Sequence, residues 1–272
     1  MKKNADKLAS RITELDLLRG IAVLLMIFDH VMFDMWGLFP TAFRGFPPAE
    51  GAWREVFLFS RFYWNWDVRI NVRVIVVFVF LALTGICCSF SKSNLKRGLK
   101  LGAVALLMTA ATYAVGTAIG DVDITILFGV LHCISLSLIV IGLLERLKTN
   151  KWIYLALGVA MIVVGYMLER NQPYISLEKM DALTLTFRTL IGTAMSGGDS
   201  FSFFFNGGQV FVGVFIGRAL YENRRSLVFK NYKNNLVTFI GRHSLIVYVL
   251  HQLLIPVVVG GLLLASGFAL SL

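Results

Sequence analysis

The sequence predicts an all-α, polytopic helical membrane protein. It is expected to have about seven transmembrane helices, within a range of six to nine, and a cytoplasmic N-terminus. Three observations carry this. The 272 residues are 57% hydrophobic and only 15% charged, with mean hydropathy +0.73, whereas a soluble domain averages about 25% charged. One buried core cannot absorb that excess, so a soluble domain, a disordered tail and a disulfide scaffold are excluded. Apolar runs of the ~20 residues that cross a hydrocarbon core recur along the chain. Finally, the basic residues, 26 Lys+Arg against 16 Asp+Glu, are unevenly shared among the segments between those runs.

The first span covers 17–36 and follows Lys2, Lys3, Lys7 and Arg11. No small-x-small cleavage site closes it, and it ends in Asp29, His30 and Asp34, so it is expected to be retained rather than removed as a signal peptide. A longer mixed segment, 37–69, comes next. Spans follow at 70–90, 99–119, 124–144 and 152–168. A second mixed segment, 169–202, contains an amphipathic stretch at 180–195 that suits an interfacial or re-entrant helix. Spans 203–221 and 243–268 complete the set. No repeat or separate soluble region interrupts residues 1–272, which read as one integral membrane domain. Cys87, Cys88 and Cys133 lie inside apolar runs and read as small core hydrophobes, neither a zinc site nor a disulfide framework.

Orientation follows from where Lys and Arg collect. With the N-terminus inside, 17 of the 26 fall on cytoplasmic segments. These are Lys2, Lys3, Lys7 and Arg11; Lys92, Lys96, Arg97 and Lys100; Arg146, Lys148 and Lys151; and Arg218, Arg224, Arg225, Lys230, Lys233 and Arg242. The outer loop at 120–123 has none and carries Asp121 and Asp123. Trp36, Trp53, Trp64 and Trp66 gather toward the outer face and Trp152 toward the inner one, as an aromatic belt does. The basic balance therefore reports topology and an anionic leaflet, with the lipid bilayer as partner and no nucleic acid.

Ionisable side chains inside spans cost at least ~2.5–3.5 kcal/mol each, which makes them functional candidates. Arg19 and His30 are eleven residues apart, so at 100° per residue they differ by only about 20° and share one face. About 16 Å of helix axis separates them. Asp34 is at i+4 from His30, within reach to orient the imidazole, while Asp29 points about 100° away. A carboxylate-held imidazole is what general-base chemistry needs; the structural alternative is that Asp16 and Arg19 only anchor the helix at the inner interface. The chain has just four histidines. His132, in FGVLHCISLS, is expected about 12 Å from the outer end of its span. His251, in GRHSLIVYVLHQ, is expected about two turns from the cytoplasmic end of the last one, with His243 beside Arg242 where that span begins. Together they suggest a shared polar cavity. No metal is expected, because no ligating spacing joins them.

Arg69 and Arg73, one turn apart, either bind an anionic part of the substrate or snorkel to the interface. Lys96, Arg97 and Lys100 form a basic inner loop with Asn94. It suits the phosphates of a cytoplasmic cofactor, although the positive-inside rule alone accounts for it. The glycines of SGGDSFSFFFNGGQVFVGVFIG follow no phosphate-loop pattern and fit close helix packing or a mobile loop.

RITELDLLRGIAVLLMIFDHVMFD resembles the opening of the membrane acyltransferase superfamily that includes heparan-alpha-glucosaminide N-acetyltransferase, above all its bacterial inner-membrane relatives. Arg19 and His30 match the R-x10-H pattern of membrane acyltransferases that O-acetylate bacterial polysaccharides. SNLKRGLKL, FGVLHCISLSLIV and GRHSLIVYVLHQ look like further family blocks in order, and the likeness runs from about residue 11 to 256. The resemblance implies transfer of an acetyl group from cytoplasmic acetyl-CoA to a sugar or glycan at or beyond the cell membrane, with acetyl-CoA as the donor. It implies catalytic roles for His30, Asp34 and Arg19. Arg19, Lys96, Arg97, Lys100, Arg242, His251 and His132 would contact the cofactor, and Arg69 and Arg73 the acceptor. A homodimer is compatible with such a protein. The lysosomal branch carries Asn at the position of His30 and its catalytic His in the following loop, which has no His here; either His30 takes the role or this branch does other chemistry. FSFFFNGGQVF also lacks the Pro-Trp associated with the start of the sixth span. A proton-coupled transporter or permease using the same buried His, Asp and Arg is the alternative, disfavoured because no paired discontinuous helices mark two matching halves.

Overall fold

Ile12 is extended, and the chain becomes helical at Thr13 with Glu14 and Asp16 in the first turn, where negative charge complements the helix dipole. The structure, a computed structural model, describes residues 12–223, 225–228 and 235–271. Lys2, Lys3, Lys7, Arg11, Arg224, Lys230 and Lys233, used above for orientation, lie outside the described residues. Six helical stretches among the described residues are long and apolar enough to cross a membrane: Thr13–Ala42, Asp67–Cys88, Asn94–Ala118, Lys151–Glu169, Phe203–Leu220 and Ser244–Ala265. A seventh apolar helix, Val130–Arg146, has 17 residues. The chain is an all-α polytopic membrane protein; strand pairing among the described residues is one two-residue ladder and an isolated bridge between Tyr174 and Met195.

The contacts divide into two units, residues 12–80 with 226–271, and residues 81–225. In the first unit, α1 (Thr13–Phe33) widens into a π turn at Asp34–Leu38 and continues as α2 (Phe39–Ala42) and β1 (Phe43–Arg44). Gly51, at φ 93°, precedes α3 (Ala52–Trp64). The N-terminal half of α4 (Asp67–Cys88) belongs here too. Asn235 caps α10 (Leu236–Arg242) by accepting from the Thr238 amide, and α11 (Ser244–Ala265) runs on to β2 (Ala269–Leu270). Labels α5 to α9 belong to the second unit.

Helix α10 packs against the first turns of α1 in the opposite direction, Val237 beside Gly20 and Gly241 beside Asp16, and α11 then follows α1 and α2 in the same direction, His251 beside His30 and Leu263 beside Met35 and Phe39. At the start, a Cβ on Gly20 would sit 2.0 Å from the Val237 carbonyl oxygen, and one on Gly241 1.8 Å from that of Asp16. Only glycine permits backbones this close, the small-residue packing used between membrane helices. At the far end Leu263 packs with Met35, Phe39, Phe43 and Phe46, and β1 pairs antiparallel with β2. Glu14, buried at the start of α1, accepts from the Leu227 amide at 2.6 Å and from the Ser226 hydroxyl.

In the second unit, α5 (Asn94–Ile119) packs on α6 (Val130–Arg146), and α7 (Lys151–Glu169) packs on α9 (Gly208–Leu220). The interfaces are again glycine-lined. A Cβ on Gly142 would meet the Leu95 amide at 2.4 Å, and one on Gly85 the Val210 carbonyl at 1.9 Å. The expected close-packing role of the FNGGQ glycines holds, since a Cβ on Gly208 would sit 2.7 Å from the Gly158 carbonyl. The amphipathic stretch forms α8 (Ala182–Ile191), capped by Asp181 and closed by Gly192 at φ 96°. The Thr184 amide holds the exposed Asp181 carboxyl below the usual range.

One boundary is corrected. The span expected at 124–144 begins as a helix only at Val130, because Val122–Ile124 form a separate short turn and Gly129 is extended. His132 therefore lies in the first turn of α6 rather than about 12 Å deep. Cys87, Cys88 and Cys133 are free thiols, the last two buried.

Candidate active site

The polar face of α1 takes shape from its neighbours. His30, half-buried near the end of the helix, donates through Nδ1 to the Met26 carbonyl at 2.8 Å. His251, buried, donates through Nδ1 to the Tyr248 carbonyl. A carbonyl only accepts, so in each neutral ring Nδ1 carries the hydrogen and Nε2 keeps its lone pair. The two rings meet edge to face, 4.8 Å between centroids at 81°, and His251 Nε2 is buried with no hydrogen-bond partner among the described residues. The parallel run of α1 and α11 produces this meeting. Gly241 ends α10 against Asp16 and Gly20, the chain turns at His243, and α11 then runs along α1 until His251 lies beside His30. His251 lies about two turns into α11, as expected, and the packing of that helix along α1 places it beside His30.

Asp29 faces away from this pair, as its angle on the helix requires. Arg69 grips it with two bonds, Nε to Oδ1 at 2.7 Å and Nη2 to Oδ2 at 2.9 Å, while the Tyr63 hydroxyl donates to Oδ1 at 3.1 Å. The guanidinium lies 3.4 Å above the Trp64 ring. Burial first, then the neighbouring Asp29 carboxylate, pushes the Tyr63 phenol above its ordinary range. Arg69 is 7% exposed and its charge is balanced internally, whereas Arg73 is exposed.

Asp34 stands where the helix widens. It is 5% exposed, and Oδ2 has no hydrogen-bond partner among the described residues. The expected Asp34 bond to His30 is thus replaced by the Met26 carbonyl. The backbone stays α-helical up to Asp34, whose amide still bonds the His30 carbonyl, so the turn of the imidazole back to Met26, and not a change of helical phase, separates the two side chains. Arg19 is half-buried in the second turn of α1, and Arg242 half-buried at the end of α10.

In the second unit, both nitrogens of His132 are spent locally. Nδ1 accepts from the Gly129 amide at 3.3 Å, and Nε2 donates to Thr109 Oγ1 at 3.1 Å, which donates in turn to the Ile126 carbonyl. Asp199 accepts from the Val130 amide at 3.0 Å, so side chains satisfy two amides at the start of α6. Lys96, Arg97 and Lys100 are exposed on the first turns of α5. Arg97 donates to Asn94 Oδ1 at 3.1 Å.

Sequence reasoning missed a network nearby. Arg218 bonds Glu145 at 3.0 Å and lies 4.4 Å from the centre of the Tyr154 ring. Asn94 donates to Glu145 at 3.0 Å and to the Cys88 carbonyl at 2.9 Å. Arg218 and Lys151 line a cleft of about 400 Å³ with Ser89, Asn150 and Tyr221. The available signal was Glu145, an acid among the basic residues of its segment. Among the described residues no group of three His, Cys, Asp or Glu side chains is arranged to hold a metal ion.

The family model described as heparan-alpha-glucosaminide N-acetyltransferase, catalytic, matches residues 11–49 and 52–253. The chain belongs to this family. No curated protein and no solved structure matches it. The match spans both histidines of the pair, Arg19, Asp34 and the Asp29–Arg69 ion pair. With family membership comes an acetyltransferase-type activity in a multi-pass membrane protein.

Proposed function

We propose that this family member transfers an acetyl group from acetyl-CoA to a sugar hydroxyl or amine, with His30 as the general base. The observation that carries the reading is the His30 ring itself. It is half-buried in a membrane helix and fixed by the Met26 carbonyl through Nδ1, so that Nε2 keeps its lone pair. An acceptor hydroxyl or amine gives its proton to Nε2 as its oxygen or nitrogen bonds to the thioester carbon. The carbon–sulfur bond then breaks and CoA leaves. General-base assistance of this kind supplies about 10²–10⁴ in rate. Asp34 contributes a compensating negative charge for the imidazolium, and Arg19, on the same face, holds a carbonyl or the pyrophosphate of the donor.

In the first unit Arg242 is assigned to the anionic end of CoA; in the second unit Lys96, Arg97 and Lys100, and the Lys151–Arg218 cleft, are basic candidates for the same anionic group. The N-terminus is placed in the cytoplasm and the protein in the cytoplasmic membrane, with a carbohydrate acceptor on the far side. Arg73 remains available to an acidic acceptor group, whereas Arg69 is committed to Asp29. No role in binding acetyl-CoA is kept for His132, because Nδ1 caps the start of α6 and Nε2 is held by Thr109.

The test is release of free CoA from acetyl-CoA by detergent-purified protein, with and without amino-sugar and polysaccharide acceptors. Acceptor-dependent release that falls about 10²-fold or more in His30→Ala is expected. Wild-type rates in that variant would remove His30 from the mechanism.

A further inference from the structure

We infer that His30 and His251 form one acid–base unit in which the two Nε2 atoms share a single proton. His251 contributes the second lone pair. Both imidazoles are fixed in the same tautomer by backbone carbonyls, at Met26 and at Tyr248. Their ring centres are 4.8 Å apart. His251 Nε2 has no hydrogen-bond partner among the described residues although it is buried, which is costly unless a donor arrives there. A protonated His30 is such a donor. Two neutral rings locked this way have no hydrogen to offer each other through Nε2, so the arrangement gains a bond only when one proton enters it.

The surroundings leave the proton few other places to go. On the far face of α1, Asp29 is closed off by Arg69 and Tyr63. Asp34 lies one turn beyond His30, and the Tyr248 ring is 5.5 Å from His251. Arg19 and Arg242 lie toward the other end of α1 and α10, whereas Asp67 and Arg73 of α4 and the charged residues of α3 are exposed.

The chemical consequence rests on the acetyl-transfer reading; the proton sharing does not. The acceptor's O–H or N–H bond breaks as its heteroatom bonds to the acetyl carbon, and the proton goes to Nε2 of the pair. The carbon–sulfur bond then breaks with its electron pair on sulfur. The proton held between the rings passes to the thiolate, leaving the acetylated acceptor and CoA thiol. One imidazole collects the proton and the other keeps it from returning to the acceptor.

Two measurements test this. In protein labelled with ¹⁵N-histidine, the His30 and His251 signals are expected to titrate in two separated steps belonging to the pair, and the remaining ring in His251→Gln in one. Independent single-step titration of both rings in the wild type would overturn the inference, whether or not the protein shows activity. In the CoA-release assay, His251→Gln keeps a polar atom near the Nε2 position but cannot carry the proton. It is expected to lose at least tenfold in kcat, as His251→Ala does, with KM for acetyl-CoA within twofold and the pH profile altered. Restoration of wild-type kcat and pH profile by Gln would show a hydrogen-bonding or space-filling role and overturn the shared-proton assignment. No acceptor-dependent release by wild-type protein, together with two-step titration, would count against the acetyl-transfer reading while supporting the pair.

Discussion

At the scale of single residues, what was legible was periodicity and what was hidden was partnership. The eleven-residue interval between Arg19 and His30 and the turning away of Asp29 follow from 100° per residue. The neighbour of His30 comes from a helix more than two hundred residues later, and no local pattern announces it. Asp34 was expected at the imidazole, but a backbone carbonyl four residues earlier does that work, a partner that is invisible to side-chain reasoning. Arg69 illustrates the same limit: its sequence context suggests an anion site, and its structure shows an anion already supplied by Asp29. Removing one member of this buried pair leaves the other uncompensated, which costs about 3–5 kcal/mol. Arg69→Ala is therefore expected to lower the melting temperature in detergent substantially, and Asp29→Asn/Arg69→Met to recover much of the loss. A variant Arg69→Ala with normal stability and a raised KM for the acceptor would instead make Arg69 a substrate ligand.

At the scale of elements, six of the seven expected spans coincide with long helices to within a few residues, because the length and hydropathy of an apolar run are fixed by the bilayer. The exception, 124–144, is instructive. Hydropathy does not register that Ile124–Gly129 are needed to bring Asp199 and His132 onto the amides at the start of α6. Losing a cap of this kind costs about 1 kcal/mol, so His132→Ala is expected to reduce thermal stability modestly and leave kcat within a fewfold. A loss of kcat comparable to that of His30→Ala would return His132 to the reacting centre. The α1–α10 contact is stricter. A Cβ at Gly241 meets a backbone oxygen that cannot move aside, whereas one at Gly261 meets nothing within 4 Å. Gly241→Ala is expected to destabilise the protein strongly and to separate His30 from His251, with Gly261→Ala as the silent control. Equal melting temperatures for the two would contradict the close approach.

At the scale of the whole molecule, composition established the class, and the fold agrees with it. The site did not follow from composition. Charge counting explains 17 of the 26 basic residues by orientation, and it hid the functional ambiguity of those it explained. Arg218 was counted as a topological charge, yet it forms an internal network beside a cleft. A donor that binds the folded chain must stabilise it. At a hundred times its Kd, acetyl-CoA is expected to add about 2.7 kcal/mol, read as a rise in melting temperature. A transporter of unrelated substrates would show no such shift.

The central claim is that His30, as general base, promotes transfer of an acetyl group from CoA to an acceptor held across the membrane. The direct measurement uses proteoliposomes with labelled acetyl-CoA presented to one face and a sugar acceptor enclosed at the other. Wild-type protein is expected to yield labelled acceptor inside the vesicles. His30→Ala is expected to yield about a hundredth as much or less, with Gly261→Ala unchanged. Equal labelling by His30→Ala and wild-type protein would contradict the account.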